Sequence, residues 1–199
     1  MVNRLKVKPA AIMAAVLAAA GLAVGVGPAQ PSLASSCGVW RWPVKTGSDA
    51  DRHKVSKTVD LTSIKHLVGL SAPSSFPDYY QKHRFRGAER HTWQITARLT
   101  QFRLEDDGDI HLVLKDSSGR HMIAEIPAPS CVARSSLWKA AIKAARANFT
   151  HRYPVTTSWH YVHRKIIIRG LGFFDEIHDV TGQARNGIEL HPVTRVRFP

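Results

Sequence analysis

Alternation of apolar and polar residues in the second half of the chain is the feature that most constrains its fold. From Trp93 to Leu99 every second residue is apolar, and the apolar positions then shift by one at Phe102. A period of two is typical of a half-buried strand, and the shift predicts a β-bulge near Thr100. We therefore expect a long, bent strand over residues 93–104.

Four more strands and one helix are predicted after this strand. The turns that separate the first three strands are rich in Asp, Ser and Gly. Apolar residues at helical spacing predict a helix from an N-cap at Ser135 or Ser136 to about Phe149. The five predicted strands cover residues 93–104, 110–115, 120–126, 162–171 and 188–198.

The predicted order β-β-β-α-β-β points to one fold class. A long first strand, with a single helix between the third and fourth strands, is typical of the OB-fold, a five-stranded partly open barrel. Another small β-barrel, or an α+β sheet with the same element order, is the alternative. In an OB-fold, residues 105–109 and about 172–187 would form loops that border the usual ligand-binding region.

The N-terminal residues predict export. Arg4, Lys6 and Lys8 precede an apolar run over 10–27, and small residues follow up to Ala34. This order is typical of a secretory signal peptide, so we predict cleavage after Ala34, a secreted protein and no transmembrane segment in the mature chain.

The rest of the chain divides into two parts. Residues 35–90 are rich in Ser, Pro, Thr and charge, which predicts an irregular N-terminal arm with a short helix over 61–70, and residues 91–199 form the barrel. Cys37 and Cys131 are the two cysteines, and in an oxidising compartment we expect them to form a disulfide. A lipid on Cys37 is the alternative, although the aliphatic residue of a lipobox is missing.

Basic residues outnumber acidic residues by 28 to 15, a formal net charge of +13. From residue 120 onward there are 12 basic and 5 acidic residues. Such a surface attracts an anionic polymer, and Arg195 and Arg197 are candidates for contacting phosphates. The predicted strands 110–115 and 120–126 carry no Phe, Tyr or Trp, so nucleic-acid binding is predicted to be weak and indifferent to sequence.

Titratable residues cluster around the two predicted loops. Asp175 and His178 would share a face of one helical turn, and Glu189 and His191 share a face of a strand. We expect these groups to meet at the barrel mouth, where carboxylates and imidazoles could hold a divalent metal ion, the candidate cofactor. The candidate metal ligands are Asp109, Asp175 and Glu189, and the candidate catalytic residues are His111, His178 and His191.

Four further residues are candidates for ligand binding: Glu125, Asn186, Arg195 and Arg197. His111 and Glu125 lie opposite one another only if Lys115 pairs with His121, because pairing with Arg120 would turn them to opposite faces. Several residues of this region also have a structural interpretation. Asp175 would cap a turn, His178 would bond a loop carbonyl, Phe173 and Phe174 would plug the barrel end, and Asn186 would form a turn with Gly187.

Several motifs resemble those of a family of small secreted bacterial proteins with no established activity. They are Cys37-Gly38-x-x-Arg41-Trp42-x-Val44-Lys45-Thr46-Gly47, Asp109-x-His111-Leu112-Val113-Leu114, Met122-Ile123-Ala124-Glu125-Ile126-Pro127, Gly172-Phe173-Phe174-Asp175 and Asn186-Gly187-Ile188-Glu189-Leu190-His191-Pro192-Val193. The chain departs from the family at 178–182 and 184–187, where His-Asp-Val-Thr-Gly and Ala-Arg-Asn-Gly replace His-Gly-Gln-x-Gly and Ala-Pro-Asn-Gly. The triplet 107–109 also resembles a loop of staphylococcal-type nucleases, which are calcium-dependent OB-fold enzymes, although Ile110 stands where those enzymes have Thr.

Two functions follow from these observations. The first is a secreted, non-enzymatic binding module for an anionic or polar ligand, because the sequence carries no specific catalytic motif. The second is a divalent-metal-dependent hydrolase of the phosphodiesterase or nuclease type, because carboxylates and imidazoles gather around adjacent loops. The sequence predicts no oligomeric state.

Overall fold

The computed structural model describes residues 37–199. The predicted signal peptide over 1–34 lies outside these residues. Within the described part of the chain, no helix combines the length and the apolar character needed to cross a membrane.

Over residues 37–199 the protein is mainly β, with six strands and one long helix. The strands are β1 (Val59–Thr62), β2 (Thr92–Leu104), β3 (Ile110–Lys115), β4 (His121–Ile126), β5 (His160–Phe174) and β6 (Ile188–Arg197). The α-helices are α1 (Trp42–Lys45), α2 (Ile64–Leu67) and α3 (Lys139–Arg152), and 3₁₀ turns cover Arg52–Lys54, Asp78–Gln81 and Ala88–Arg90. The predicted strand count and element order were wrong, because β1 lies within the arm and adds a strand before the others. Four residues are too few to show an alternating pattern.

Five of the strands close into a ring. Antiparallel pairs join β2 to β3, β3 to β4, β5 to β6, and β5 back to β2, whereas β4 and β6 are parallel. The register of β2 shifts between Leu99 and Gln101 against both of its antiparallel neighbours, which confirms the predicted bulge. The bulge bends β2 so that this one strand pairs with both β3 and β5.

The core fills the ring. Alternate residues of β3 and β4, such as Leu112 and Ala124, point into it, and Phe149 of α3 packs against it. The predicted N-cap was wrong, since α3 begins at Lys139 without a side-chain cap. The Ser136 hydroxyl instead donates to the Thr46 carbonyl at 2.7 Å, a contact with the arm that local spacing does not reveal.

Buried ion pairs hold the arm against the end of β5. The Arg41 guanidinium donates to both carboxylate oxygens of Glu89 at 2.8 Å, and it also donates to the Phe174 carbonyl at 2.9 Å. Glu89 accepts the Phe174 N–H in return at 2.9 Å. A second pair joins Arg84 and Asp49, with Nη2 and Oδ2 separated by 2.9 Å. The arm is therefore an ordered part of the molecule.

The predicted disulfide between Cys37 and Cys131 is present, and it joins residues 94 positions apart. Trp42 strengthens the same junction, because its indole N–H donates to the Cys131 carbonyl at 3.2 Å. Cys131 follows β4 by five residues, so these bonds hold α1 near the end of β4, and Lys45 of α1 lines the same cleft as Glu125 of β4.

Candidate functional site

Titratable side chains collect on the outer surface of β3, β4 and β6. Their neighbours along each strand face the core, so His111, Glu125, Glu189 and His191 face away from it. Lys115 pairs with His121, which settles the open register and sets His111 opposite Glu125. The groups expected at the barrel mouth therefore meet on the side of the ring.

Asp109, the residue before β3, forms a row of alternating carboxylates and imidazoles with His191, Glu125 and His111. His191 Nε2 lies 3.2 Å from Asp109 Oδ2, and His191 Nδ1 lies 3.2 Å from Glu125 Oε2. Glu125 Oε1 is 3.0 Å from His111 Nδ1. His111 Nε2–H donates to the Thr181 carbonyl at 2.9 Å. This bond holds the segment 175–187, which joins β5 to β6, against β3.

Several buried polar atoms of this row and of the neighbouring Glu189 have no well-oriented hydrogen bond within the described part of the chain. They are Asp109 Oδ2, Glu189 Oε2 and both ring nitrogens of His191. Asp109 and His191 are 0% exposed, so water does not satisfy these atoms from the surface. One ligand atom each from Asp109, Glu125 and His191 lies within 4.8 Å of the other two, a spacing that one metal ion can bridge.

A cleft of about 280 Å³ opens beside this row. Two permanent cations, Lys45 and Arg103, line it, together with the imidazoles of His111 and His178. The carboxylates that line it are Glu105, Asp106, Asp107, Glu125, Asp175 and Glu189. Carboxylates outnumber the permanent cations three to one, so the cleft of this basic protein favours a cation over an anion.

Lys45 is a cleft residue that the sequence analysis missed as a candidate. It comes from α1, and its Nζ lies 3.7 Å from Asp175 Oδ2 and 5.4 Å from the centre of the Phe173 ring. Burial favours a lower pKa for this ammonium, but the nearby carboxylates of Glu125, Asp175 and Glu189 outweigh burial and raise the pKa. The predicted disulfide was a usable signal for this placement. Lys45 follows Cys37 by only eight residues, so a bond from Cys37 to Cys131 holds Lys45 close to Cys131.

Burial and close charges shift the pKa values in the cleft in opposite directions. Burial, with Asp175 and Glu125 nearby, raises the pKa of Glu189 to about 7. Burial opposes protonation of His191, yet Asp109 and Glu189 raise its pKa to about 9. Burial also opposes ionisation of Glu125, but His111, His191 and Lys45 hold its pKa well below the usual range. His191 is therefore cationic at neutral pH in the metal-free protein.

Asp175 and His178 both line the cleft, but Asp175 is buried whereas His178 is exposed. The Nδ1 atom of His178 lies 2.7 Å from the Glu176 carbonyl, as the structural interpretation expected. The predicted helical turn that would pair Asp175 with His178 was wrong, because these residues form no helix. Phe174 lies in the core, whereas Phe173 packs edge-on against the His191 ring.

Three other candidates lie away from the cleft. The Asn186 amide donates to the carbonyls of Leu67 and Leu70, at 3.0 Å each, so it fastens the segment to α2. Arg195 and Arg197 are exposed on β6, beside Gln94, Ile167 and Arg169.

Comparison of the chain with protein-family models and with curated proteins gave no match. The resemblance to small secreted bacterial proteins therefore stays a prediction. What the cleft does follows from its own side chains and their placement.

Proposed function

We propose that this protein is an extracytoplasmic hydrolase of OB type, which binds a divalent cation beside the acidic cleft and cleaves phosphodiesters. The ring order supports the OB assignment. A ring β2-β3-β4-β6-β5 with β4 parallel to β6, and with α3 between β4 and β5, matches the OB arrangement, and β1 is an addition to it.

The position of the cleft supports the same assignment. OB-folds bind ligands on the second and third barrel strands, between the loops that follow the first and fourth strands. Here those strands are β3 and β4, and the loops are 105–109 and 175–187. The cleft is lined by residues from all four of these segments.

The observation that carries the cation proposal is the convergence of Asp109, Glu125 and His191 within reach of one ion, together with the buried atoms of Asp109 and His191 that have no hydrogen-bond partner among the described residues. Two carboxylates and one imidazole suit a divalent metal ion such as Mn²⁺ or Zn²⁺. Three protein ligands leave coordination positions for water, whose pKa a metal ion lowers towards neutrality. Glu125 belongs both to this set and to the cleft wall, so it connects the ion with the open space.

Other cleft residues supply the remaining parts of a hydrolytic site. Glu189 Oε2 has no hydrogen-bond partner among the described residues, so it is free to accept a proton from the attacking water. Lys45 and Arg103 line the same space and would stabilise negative charge on a phosphoryl group. An anionic ligand held without a cation, as in the binding-module hypothesis, would instead meet six carboxylates.

Metal titration and turnover test the proposal separately. The protein is freed of metal with EDTA, titrated with Mn²⁺, Zn²⁺ and Ca²⁺ by calorimetry, and assayed with bis(p-nitrophenyl) phosphate. We expect one ion per chain, metal-dependent turnover, and at least tenfold weaker binding in Asp109→Asn and Glu125→Gln. Glu176→Gln, an exposed control on the neighbouring segment, should bind as wild type does.

The outcomes separate the two parts. No binding at millimolar metal would overturn the whole proposal. Binding without turnover would overturn the hydrolase and leave a cation-binding module. Thermal unfolding of each variant shows whether lost binding reflects a lost fold.

A further inference from the structure

A second surface, outside the cleft, carries a concentrated positive charge. It lies on the outer side of β2, β5, β6 and the end of β3, and we call it the basic face. Six of its cationic or imidazole residues are exposed and one is half-buried. They are Arg98, Lys115, His163, Lys165, Arg169, Arg195 and Arg197.

The strand register forces like charges together on this face. Arg98 lies opposite Lys115 on one side and Lys165 on the other, and Arg169 lies opposite Arg195. Like charges in directly opposed positions destabilise a sheet. Among the ion pairs of the described residues, none involves a Lys or Arg of the basic face. Asp116, the carboxylate beside the face, is bound by Arg120 at 2.7 Å.

We propose that the basic face binds the phosphate backbone of a single-stranded nucleic acid. Arg predominates among its cations, and the planar guanidinium fork matches phosphate geometry. Tyr161 stands on the outer side of β5, is 73% exposed, and offers a base a surface to stack on.

The size and composition of the face favour this partner over a membrane or a long duplex. From Lys165 to Arg169 the strand advances about 13 Å, which suits the few nucleotides that one OB domain contacts. Among the described residues, the large, exposed apolar side chains on or beside the face are Tyr161 and Leu61 of β1, which lies opposite Gln94, so little is available to enter a bilayer. With one aromatic and many cations, binding is indifferent to sequence and strongly dependent on salt.

Fluorescence anisotropy with labelled oligo(dT) of 20 nucleotides tests the inference, which does not rest on the hydrolase proposal. EDTA in every sample removes metal-dependent cleavage, so the affinity is independent of turnover. The test variant Arg98→Gln/Lys165→Gln removes two charges from the face. Its control, Arg134→Gln/Lys143→Gln, removes two charges from exposed positions elsewhere.

We expect the test variant to bind at least tenfold more weakly at 0.1 M salt and the control to change less than twofold. Each lost phosphate contact should also lower the slope of log affinity against log salt by about 0.7. Tyr161→Ala should cost about fivefold or more, and Tyr161→Phe should restore binding because the ring is retained.

Three results would overturn the inference. The first is equal weakening by both double variants, which would mean that net charge alone governs binding. The second is no binding of oligo(dT) at 50 mM salt. The third is face-dependent binding of heparin or of phosphatidylglycerol vesicles that exceeds the binding of oligo(dT), which would assign the face to a polysaccharide or a membrane.

Discussion

Replacement of Glu189 by Gln is expected to stabilise the metal-free protein at neutral pH. Glu189 is 1% exposed, and the 3.9 Å between its Oε2 and His191 Nδ1 is too long for a hydrogen bond. Its carboxylate therefore loses hydration without gaining a short hydrogen bond, and although His191 opposes the change, burial raises its pKa from 4.5 to about 7. A pKa rise of this size costs about 3 kcal/mol of folding free energy once the group is ionised.

The sign of the effect defines the pH window. Between pH 4.5 and 7 the folded protein keeps a proton on Glu189 that the unfolded chain has released, so wild-type stability falls as pH rises. Gln carries no such proton. The two proteins should be equally stable near pH 4.5, and Glu189→Gln should be more stable by about 3 kcal/mol at pH 8. The raised pKa of His191 contributes stability to the wild-type protein that is lost between pH 6.5 and about 9, and in Glu189→Gln this loss is complete at a lower pH because Glu189 is one of the groups that raise that pKa.

Urea unfolding in EDTA across this pH range measures the difference directly. In thermal unfolding the gain at pH 8 corresponds to about 6 to 12 °C for a chain of this size. Glu176→Gln is the control, since Glu176 is exposed and its replacement should change stability by less than about 0.5 kcal/mol at every pH. A difference between Glu189→Gln and wild type that stays constant from pH 4.5 to 8 would refute the reasoning.

Three further changes should destabilise the protein, each by a distinct mechanism. Arg41→Leu leaves the Glu89 carboxylate buried without its cation and should cost about 3 to 5 kcal/mol in urea unfolding. The double variant Arg41→Leu/Glu89→Gln should recover part of this stability, and no recovery would argue against the ion pair. Reduction of Cys37–Cys131 should cost about 4 to 5 kcal/mol, so equal unfolding midpoints with and without reductant would contradict the estimate. Asn186→Ala should cost about 1 to 3 kcal/mol and speed limited proteolysis within 175–187, and unchanged cleavage would show that the amide does not hold the segment.

Much of the strand pattern was predictable because its determinants are local. The bounds predicted for β3 match the structure, and those for β4 differ by one residue. The bulge followed from a parity shift within β2 itself. The start of α3 was not predictable in this way, since a carbonyl of the arm engages the Ser136 hydroxyl across 90 positions.

For the candidate site, too, residue types were predictable from the sequence, whereas contacts between distant residues were not. His111 and Glu125 were both recognised as titratable, but their contact depended on a register that two pairings satisfied equally well in the sequence. Arg41 was quoted only as part of a motif, since its partner Glu89 lies 48 positions away. Lys45 enters the cleft only because the disulfide and the buried ion pairs fold the arm over the ring.

The parallel pairing of β1 has a consequence for solubility. Residues Thr92–Ile95 of β2 pair with β5 on one side and with Val59–Thr62 on the other, whereas β3 pairs with β2 only from Arg98 onward. A chain that began at residue 91 would therefore expose an unpaired strand edge, which is a template for joining a second molecule. The arm protects this edge, and cutting it away should yield a protein that self-associates through β2.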